Sequence, residues 1–212
     1  MTLPIKLYFS PGACCMSCHI ALLETNTPFD LVYVGKNANQ KTREAFLTIN
    51  PLGAVPALEL DGGKILTQNI AILEYIADQN PSAHLLATVG TYERADTIRW
   101  SSFVASDLHK SFTILFRLNS ISSNQSAQKD IKQWALNAIN QYLSLVNTHL
   151  AGKHFLSGKH FTIADCYFYT VYQWTKSVSI ATDAYPEINR YSNEISKRPS
   201  VIAIREKEEQ YR

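Results

Sequence analysis

The chain has 212 residues, of which 20 are basic and 18 acidic, giving a formal net charge of +2. The charges are interspersed along the chain, so they give no electrostatic reason to expect nucleic acid or an anionic membrane as a partner. No apolar run is long enough to span a membrane, and Lys6 interrupts the short apolar stretch near the start, unlike a signal peptide. We therefore expect a cytosolic protein.

The first eighty residues or so alternate short apolar runs with helical patterns. Strands are predicted over 5–9, 29–34, 57–60 and 65–67, and helices over 19–23, 41–49 and 70–77. A strand–helix–strand crossover places the first two strands parallel, while a tight turn at Gly62-Gly63 reverses the last pair. These patterns predict a small mixed sheet flanked by helices.

From Tyr92 onward the apolar residues recur at helical spacing, as in Ile131, Ala135, Ala138 and Tyr142. We expect this part to be all-helical, with a polar loop over 119–126 and a linker from Asn80 to roughly residue 90. The predicted organisation is an α/β domain over 1–81 followed by an all-α domain over 91–212.

One helix start stands out in the second half. Thr162 and Asp165 have the spacing of a capping box in which Asp replaces the usual Glu. Phe161 and Cys166 occupy the positions of a hydrophobic staple. We interpret this feature as structural and expect Cys166 to be buried.

Three of the four cysteines, Cys14, Cys15 and Cys18, lie within five residues, and the fourth is Cys166. In a cytosolic protein this spacing indicates reactive thiols or metal ligands rather than a disulfide framework. Cys14 follows the turn that ends the first strand, near a helix N-terminus where free N–H groups and the helix dipole favour an anion. Such a position lowers a cysteine pKa from about 8.5 toward neutrality. Position alone leaves open whether Cys14 is reactive or a buried, inert thiol.

Two further junctions between predicted elements have features of a binding site, one a proline and the other a pair of polar side chains. Pro56 stands just before the third strand, and a cis Val55–Pro56 bond would turn the Val55 backbone outward to pair with an extended peptide. At the next strand-to-helix junction, Gln68 and Asn69 offer hydrogen bonds beside helix N–H groups that suit a carboxylate. The alternative is that Asn69 simply caps its own helix.

Together these junctions resemble the glutathione S-transferases, most closely the bacterial beta class. The resemblance spans nearly the whole chain and rests on segments 6–14, 46–58 and 66–72, on Leu108-His109-Lys110, and on the pair Thr162 and Asp165. It implies a thioredoxin-like N-terminal domain that binds glutathione and an all-helical domain that lines the site of an electrophilic second substrate. It also implies a homodimer, with glutathione as co-substrate and no resident cofactor or metal.

The resemblance assigns roles to residues of the N-terminal domain. Cys14 would contact the glutathione sulfur and can form a mixed disulfide with it, while Val55, held by Pro56, would pair with the cysteinyl backbone. Gln68 and Asn69 would hold the γ-glutamyl end. Both are departures, because the beta class usually has Glu at the first position and Gly at the second.

The resemblance also assigns residues around the rest of the site. His109 and Lys110, at the end of the first long helix of the second domain, match a His-Lys pair that lines the site in the beta class. Ser102 stands where an Asn often faces the active-site thiol. Either Lys36 or Lys41 would be the cation for the glycyl carboxylate.

The implied reaction is attack of the bound glutathione thiolate on an electrophile, with His109 as donor or proton carrier. Two alternatives stay open: a glutathione-dependent thiol–disulfide oxidoreductase in which Cys14 is the nucleophile, and a non-catalytic carrier of apolar compounds. Tyr8 and Ser10 also come into consideration, because other classes of the family activate glutathione with a hydroxyl.

The remaining thiols suggest further chemistry. Cys15 and Cys18 form a C-x-x-C pair, but in the similar glutaredoxins the reactive cysteine aligns with Cys14, so a dithiol cycle would need Cys14 with Cys18. A zinc site is less favoured, because only His19 offers a nearby fourth ligand.

Overall fold

The computed structural model describes residues 5–211. Four strands form one sheet: β1 Ile5–Phe9, β2 Phe29–Tyr33, β3 Ala57–Glu59 and β4 Ile65–Thr67. The strand order is β2-β1-β3-β4, with β1 parallel to β2 and β3 antiparallel to both β1 and β4. Leu7 of β1 pairs with Leu31 on one side and with Leu58 on the other. The predicted mixed sheet is confirmed.

Three helices flank the sheet: α1 Cys15–Glu24, α2 Gln40–Ile49 and α3 Asn69–Gln79. All three were predicted, and each is longer than predicted because its ends lie in polar turns that periodicity does not resolve. In α1 every residue from Cys15 to Leu22 is buried. The helix contacts β1 and α3 and also packs against helices of the second half, so it has little exposed face along that stretch.

Among the described residues, the second half contains eight α-helices: α4 Tyr92–Phe103, α5 His109–Phe116, α6 Leu118–Ile121, α7 Gln125–His149, α8 Ile163–Tyr172, α9 Trp174–Ser177, α10 Pro186–Ile195 and α11 Pro199–Glu209. No strand occurs among the described residues from 92 to 211, in agreement with the predicted all-α region. The fold is therefore a thioredoxin-like α/β unit followed by a helical one.

Two predictions about this half are wrong. The polar loop expected over 119–126 is mostly helical, because α6 runs to Ile121 and Asn124 starts α7 by accepting hydrogen bonds from the N–H groups of Ser126 and Ala127. A π-helical turn over Val104–Leu108 also joins α4 to α5. His109 therefore lies within a continuous helical stretch over 92–116 and not at the end of a helix, where it was predicted.

One hydrophobic core runs through both halves and includes Leu7 and Leu22 together with Trp100 and Phe168. All ten residues of α8 are buried, including Cys166 as predicted. The predicted capping box at the start of α8 is present. Among the described residues, no helix has both the length and the apolar character needed to cross a membrane.

Candidate active site

The turn between β1 and α1 places Cys14 as predicted, at the N-cap of α1. Gly12 has φ +72°, a left-handed conformation that favours glycine. The N–H of Ala13 then donates to the carbonyl of Ser10 at 3.2 Å, which closes the turn. No side chain caps α1. The N–H groups of Met16 and Ser17 donate to the carbonyls of Ala13 and Cys14, both at 3.1 Å, and those of Cys14 and Cys15 face the Cys14 sulfur.

The thiol of Cys14 is a hydrogen-bond donor in this structure. Its Sγ lies 3.4 Å from the carbonyl oxygen of Val55, and the residue is 9% exposed. Burial raises the pKa of Cys14 to about 11, although the N–H groups of Cys14 and Cys15 lower it. The expectation of a depressed pKa is therefore wrong, because the loss of hydration outweighs two backbone hydrogen bonds.

The peptide segment opposite the thiol has a cis Val55–Pro56 bond, the geometry considered for this proline from the sequence. Asn50, which is buried, fixes the preceding loop: its Nδ2 donates to the carbonyl of Ala54 at 2.6 Å, and its Oδ1 accepts from the N–H of Leu52 at 3.2 Å. The N–H of Val55 makes no hydrogen bond to another described residue. This segment thus presents a free donor and a carbonyl at the edge of the thiol turn.

The third junction differs from prediction in its side chains. Gln68 is the N-cap of α3, with φ 73° and no side-chain cap bond, and its side chain is exposed. Asn69, which was predicted to face a ligand or to cap the helix, does neither. Its carboxamide is buried against α1, where it contacts Ser17 and Cys18. The helix N–H groups beside Gln68 are consequently left uncapped by these side chains.

The helical half supplies His109. Its Nδ1 lies 2.7 Å from the hydroxyl of Tyr167, and its ring packs edge-on against Trp174 with centroids 4.8 Å apart. Burial, and secondarily the charge of Lys110, lowers the pKa of His109 to about 4, so the ring is neutral at pH 7. Burial likewise raises the pKa of Tyr167, whose O–H is best assigned as donor to Nδ1, leaving Nε2–H as the donor of His109.

Several predicted cations and polar residues are exposed: Lys36, Lys41, Ser102 and Lys110. The structure gives no ion pair for these three lysines among the described residues. They are free to meet a carboxylate, and the choice between Lys36 and Lys41 stays open.

Three important residues were not predicted. Trp174 donates from Nε1 to the carbonyl of Gly12 at 2.7 Å, and Glu208 Oε2 accepts from the N–H of Gly12 at 2.8 Å. The helical half thereby holds both polar groups of the glycine in the thiol turn. Tyr167 is the third, through His109. Buried Trp and Tyr need partners for their polar atoms, and that was the one signal in the sequence.

The hydroxyl and thiol groups of the other candidates already make hydrogen bonds within the protein. The Tyr8 hydroxyl donates to Glu59 at 2.6 Å, and burial, with this carboxylate, raises its pKa. The Cys15 thiol donates to the carbonyl of Ser10 at 3.2 Å, and Cys18 donates to Asn69. Among residues 5–211 no group of three or more His, Cys, Asp or Glu side chains is arranged to hold a metal ion.

Comparison with known proteins agrees with this geometry. Residues 3–78 match the glutathione S-transferase N-terminal domain, and residues 107–199 match the C-terminal domain. Glutathione S-transferase GstA of Escherichia coli O157:H7 is 35% identical over 93% of this chain and 95% of its own length.

Glutathione S-transferase GST-4.5 of Xanthomonas campestris is 35% identical over 83% of this chain and 85% of its own. A sphingomonad glutathione S-transferase solved with glutathione is 39% identical, covers 96% of this chain and 98% of its own, and superposes with a TM-score of 0.84. A bacterial beta-class enzyme from Sphingomonas chungbukensis has the same identity, coverage and TM-score. The chain belongs to the glutathione S-transferase family.

Proposed function

We propose that this chain is a glutathione transferase that joins the glutathione sulfur to electrophilic small molecules. The observation that carries the proposal is the 3.4 Å contact between the Cys14 thiol and the carbonyl of Val55. It brings a sulfur donor, a helix N-terminus and a free peptide edge together at one point. A cysteine-containing peptide that pairs with Val55 as an added strand would bring its own sulfur to Cys14.

In the proposed reaction Cys14 remains a thiol. Its pKa of about 11 makes it a hydrogen-bond donor at pH 7, and the N–H groups of Cys14 and Cys15 at the start of α1 add positive potential at the same place. Both features favour the thiolate of glutathione over its thiol. The bound glutathione thiol loses its proton to solvent, its thiolate attacks the electrophilic carbon, a C–S bond forms, and the leaving group departs with its electron pair. His109, neutral at pH 7, would donate from Nε2 to the departing group.

The binding contacts that we propose follow the chain of glutathione. Gln68 and the backbone N–H of Asn69 would meet the γ-glutamyl end, and Pro56 shapes the edge that pairs with the cysteinyl residue. Lys36 or Lys41 would meet the glycyl carboxylate. Ser102 and Lys110, both exposed on the helical half, would close the site from the other side.

Conjugation of glutathione to an aryl halide by purified protein tests this function. We expect Cys14→Ala to reduce kcat by about tenfold or more, as loss of one charge-stabilising donor does, while Cys14→Ser, which keeps a donor, retains more activity. Cys166→Ala is the matched control, because this buried thiol in α8 is not part of the proposed site. Unchanged turnover in Cys14→Ala would remove Cys14 from the reaction.

A thiol–disulfide oxidoreductase is the second candidate. It is favoured by the 9% exposure of Cys14, which exceeds that of the other three cysteines. In that reaction the Cys14 thiolate attacks a glutathione mixed disulfide, releases the other thiol, and is then freed by a second glutathione that leaves as glutathione disulfide. Turnover of a small glutathione mixed disulfide, with no turnover of aryl halides, would favour this candidate. Binding without turnover in either assay would favour the carrier.

We also propose a homodimer in the cytosol and a domain division at 1–81 and 91–212. The first two proposals rest on the family resemblance alone, and the third on the change of pattern along the chain. Light scattering after gel filtration tests the dimer, cell fractionation tests the location, and limited proteolysis between 81 and 91 tests the division.

A further inference from the structure

A buried polar network joins α1 to α3 behind the proposed glutathione site. The Ser17 hydroxyl lies 2.7 Å from the carbonyl oxygen of Cys14. The Asn69 carboxamide lies across from it, with Nδ2 2.9 Å and Oδ1 3.1 Å from Ser17 Oγ. Cys18 Sγ lies 3.2 Å from the same Oδ1. Ser17 and Cys18 are fully buried and Asn69 is 8% exposed.

The donors and acceptors of this network form one consistent chain. Ser17 has a single hydroxyl proton, and the carbonyl of Cys14 is its nearest acceptor. Ser17 Oγ then accepts from Nδ2 of Asn69, and Oδ1 of Asn69 accepts from the thiol of Cys18. The chain therefore runs from Cys18 through Asn69 and Ser17 to the carbonyl of Cys14, through side chains that are all buried.

The direction of the Asn69 side chain matters for the ends of both helices. A side-chain oxygen at a helix start normally caps the helix by accepting from its first N–H groups. Asn69 instead turns its carboxamide inward to α1, and the N-cap residue Gln68 makes no side-chain cap bond. The N–H groups at the start of α3 remain available to a ligand, and the start of α3 is tied to the residue that carries the thiol.

We propose that Asn69 and Ser17 are positioning residues, which set the start of α3 against the start of α1 so that both ends of glutathione meet their contacts at once. The inference rests on the proposed function. Glutathione would span from the thiol at Cys14 to its γ-glutamyl end at Gln68, so a shift between the two helix starts weakens both contacts together. The electrophile would contact the helical half and would not be affected by such a shift.

The test compares Ser17→Ala, Asn69→Ala and the double variant in glutathione affinity by calorimetry, in KM for both substrates, and in Tm. Loss of a buried hydrogen bond corresponds to about a five- to tenfold change, so we expect the Kd and KM for glutathione to rise by that factor in each single variant. KM for the electrophile should stay unchanged. The double variant should be little worse than either single one, because both remove the same bridge.

Ser157→Ala is the matched control. It removes another buried side-chain hydrogen bond between two segments, the 3.0 Å contact with Thr97 in the helical half, and should lower Tm without changing glutathione affinity. Cys18 provides a conservative rescue: Cys18→Ser keeps a donor to Asn69 and should bind glutathione as the wild type does, whereas Cys18→Ala should bind it more weakly.

The outcomes separate the two proposals. If wild-type protein binds glutathione and the Ser17 and Asn69 variants lower only Tm, the positioning role is wrong and the proposed function stands. If wild-type protein binds no glutathione, the proposed function fails, and the positioning role fails with it.

Discussion

Two buried helix starts, those of α8 and α1, are built in opposite ways. At α8 the Asp165 carboxylate accepts from the N–H groups of Leu156 and Thr162, both at 2.8 Å, and from the Tyr191 hydroxyl at 2.9 Å. At α1 the side chain of the N-cap residue Cys14 makes no cap bond, and only its carbonyl accepts, from the N–H of Ser17 at 3.1 Å. The first start has a side-chain carboxylate as acceptor, whereas the second has no side-chain cap and the N–H groups of Cys14 and Cys15 face the Cys14 sulfur. The contrast separates a helix start capped by a side chain from the one at which we propose that the glutathione sulfur binds.

The substitution Asp165→Ala tests how much the capped start of α8 contributes to stability, and it should have the largest effect. It leaves two buried N–H groups and a buried hydroxyl without their acceptor, so we expect the free energy of unfolding to fall by about 3 kcal/mol or more. Urea unfolding measures the change, with the exposed Asp183→Ala as control. A loss below about 1 kcal/mol would show that the box contributes little to stability.

We expect the Cys14 thiol at the start of α1 to stay protonated near neutral pH. Because the pKa of Cys14 is about 11, its alkylation by iodoacetamide at pH 8 should be about a hundredfold slower than that of a free cysteine, and its rate should still rise above pH 9. Mass spectrometry of the labelled peptide follows Cys14 separately from the other cysteines. A profile that levels off below pH 9 would instead mark Cys14 as an activated nucleophile.

The turn that leads into α1 is hydrogen-bonded by Trp174 of the helical half, and Trp174→Phe tests whether this bond supports the turn. The change removes the donor to the carbonyl of Gly12, so we expect a loss of about 1–2 kcal/mol in stability together with severalfold slower conjugation. Trp134→Phe is the control, because Trp134 is 62% exposed. Equal effects of the two substitutions would contradict the support.

A third start, at α3, carries backbone strain. Gln68 has φ 73°, so Gln68→Gly should raise stability by up to about 1 kcal/mol while it weakens glutathione binding, because the side-chain contact is lost. His84→Gly, at φ 55° in the linker, should also raise stability but leave glutathione binding unchanged. A fall in stability on Gln68→Gly would show that the side chain supports the fold.

The local patterns of the sequence predicted the sheet, the three helices around it, the all-helical second half and the position of Cys14, and they were compatible with a cis Val55–Pro56 bond without requiring it. Each depends on periodicity or on turn residues close together in the chain. The family resemblance supplied the roles of Gln68, His109 and the lysines, and those roles remain predictions.

What the tertiary structure decided was the state of each functional group. The sequence places Cys14 at a helix start, which favours a thiolate, but packing of α1 against both halves of the fold removes water and raises its pKa instead. The inward turn of Asn69 and the two bonds that hold Gly12 likewise depend on partners 52, 162 and 196 residues away in the chain. Desolvation and long-range hydrogen bonds arise only when distant segments pack together, so no local pattern encodes them.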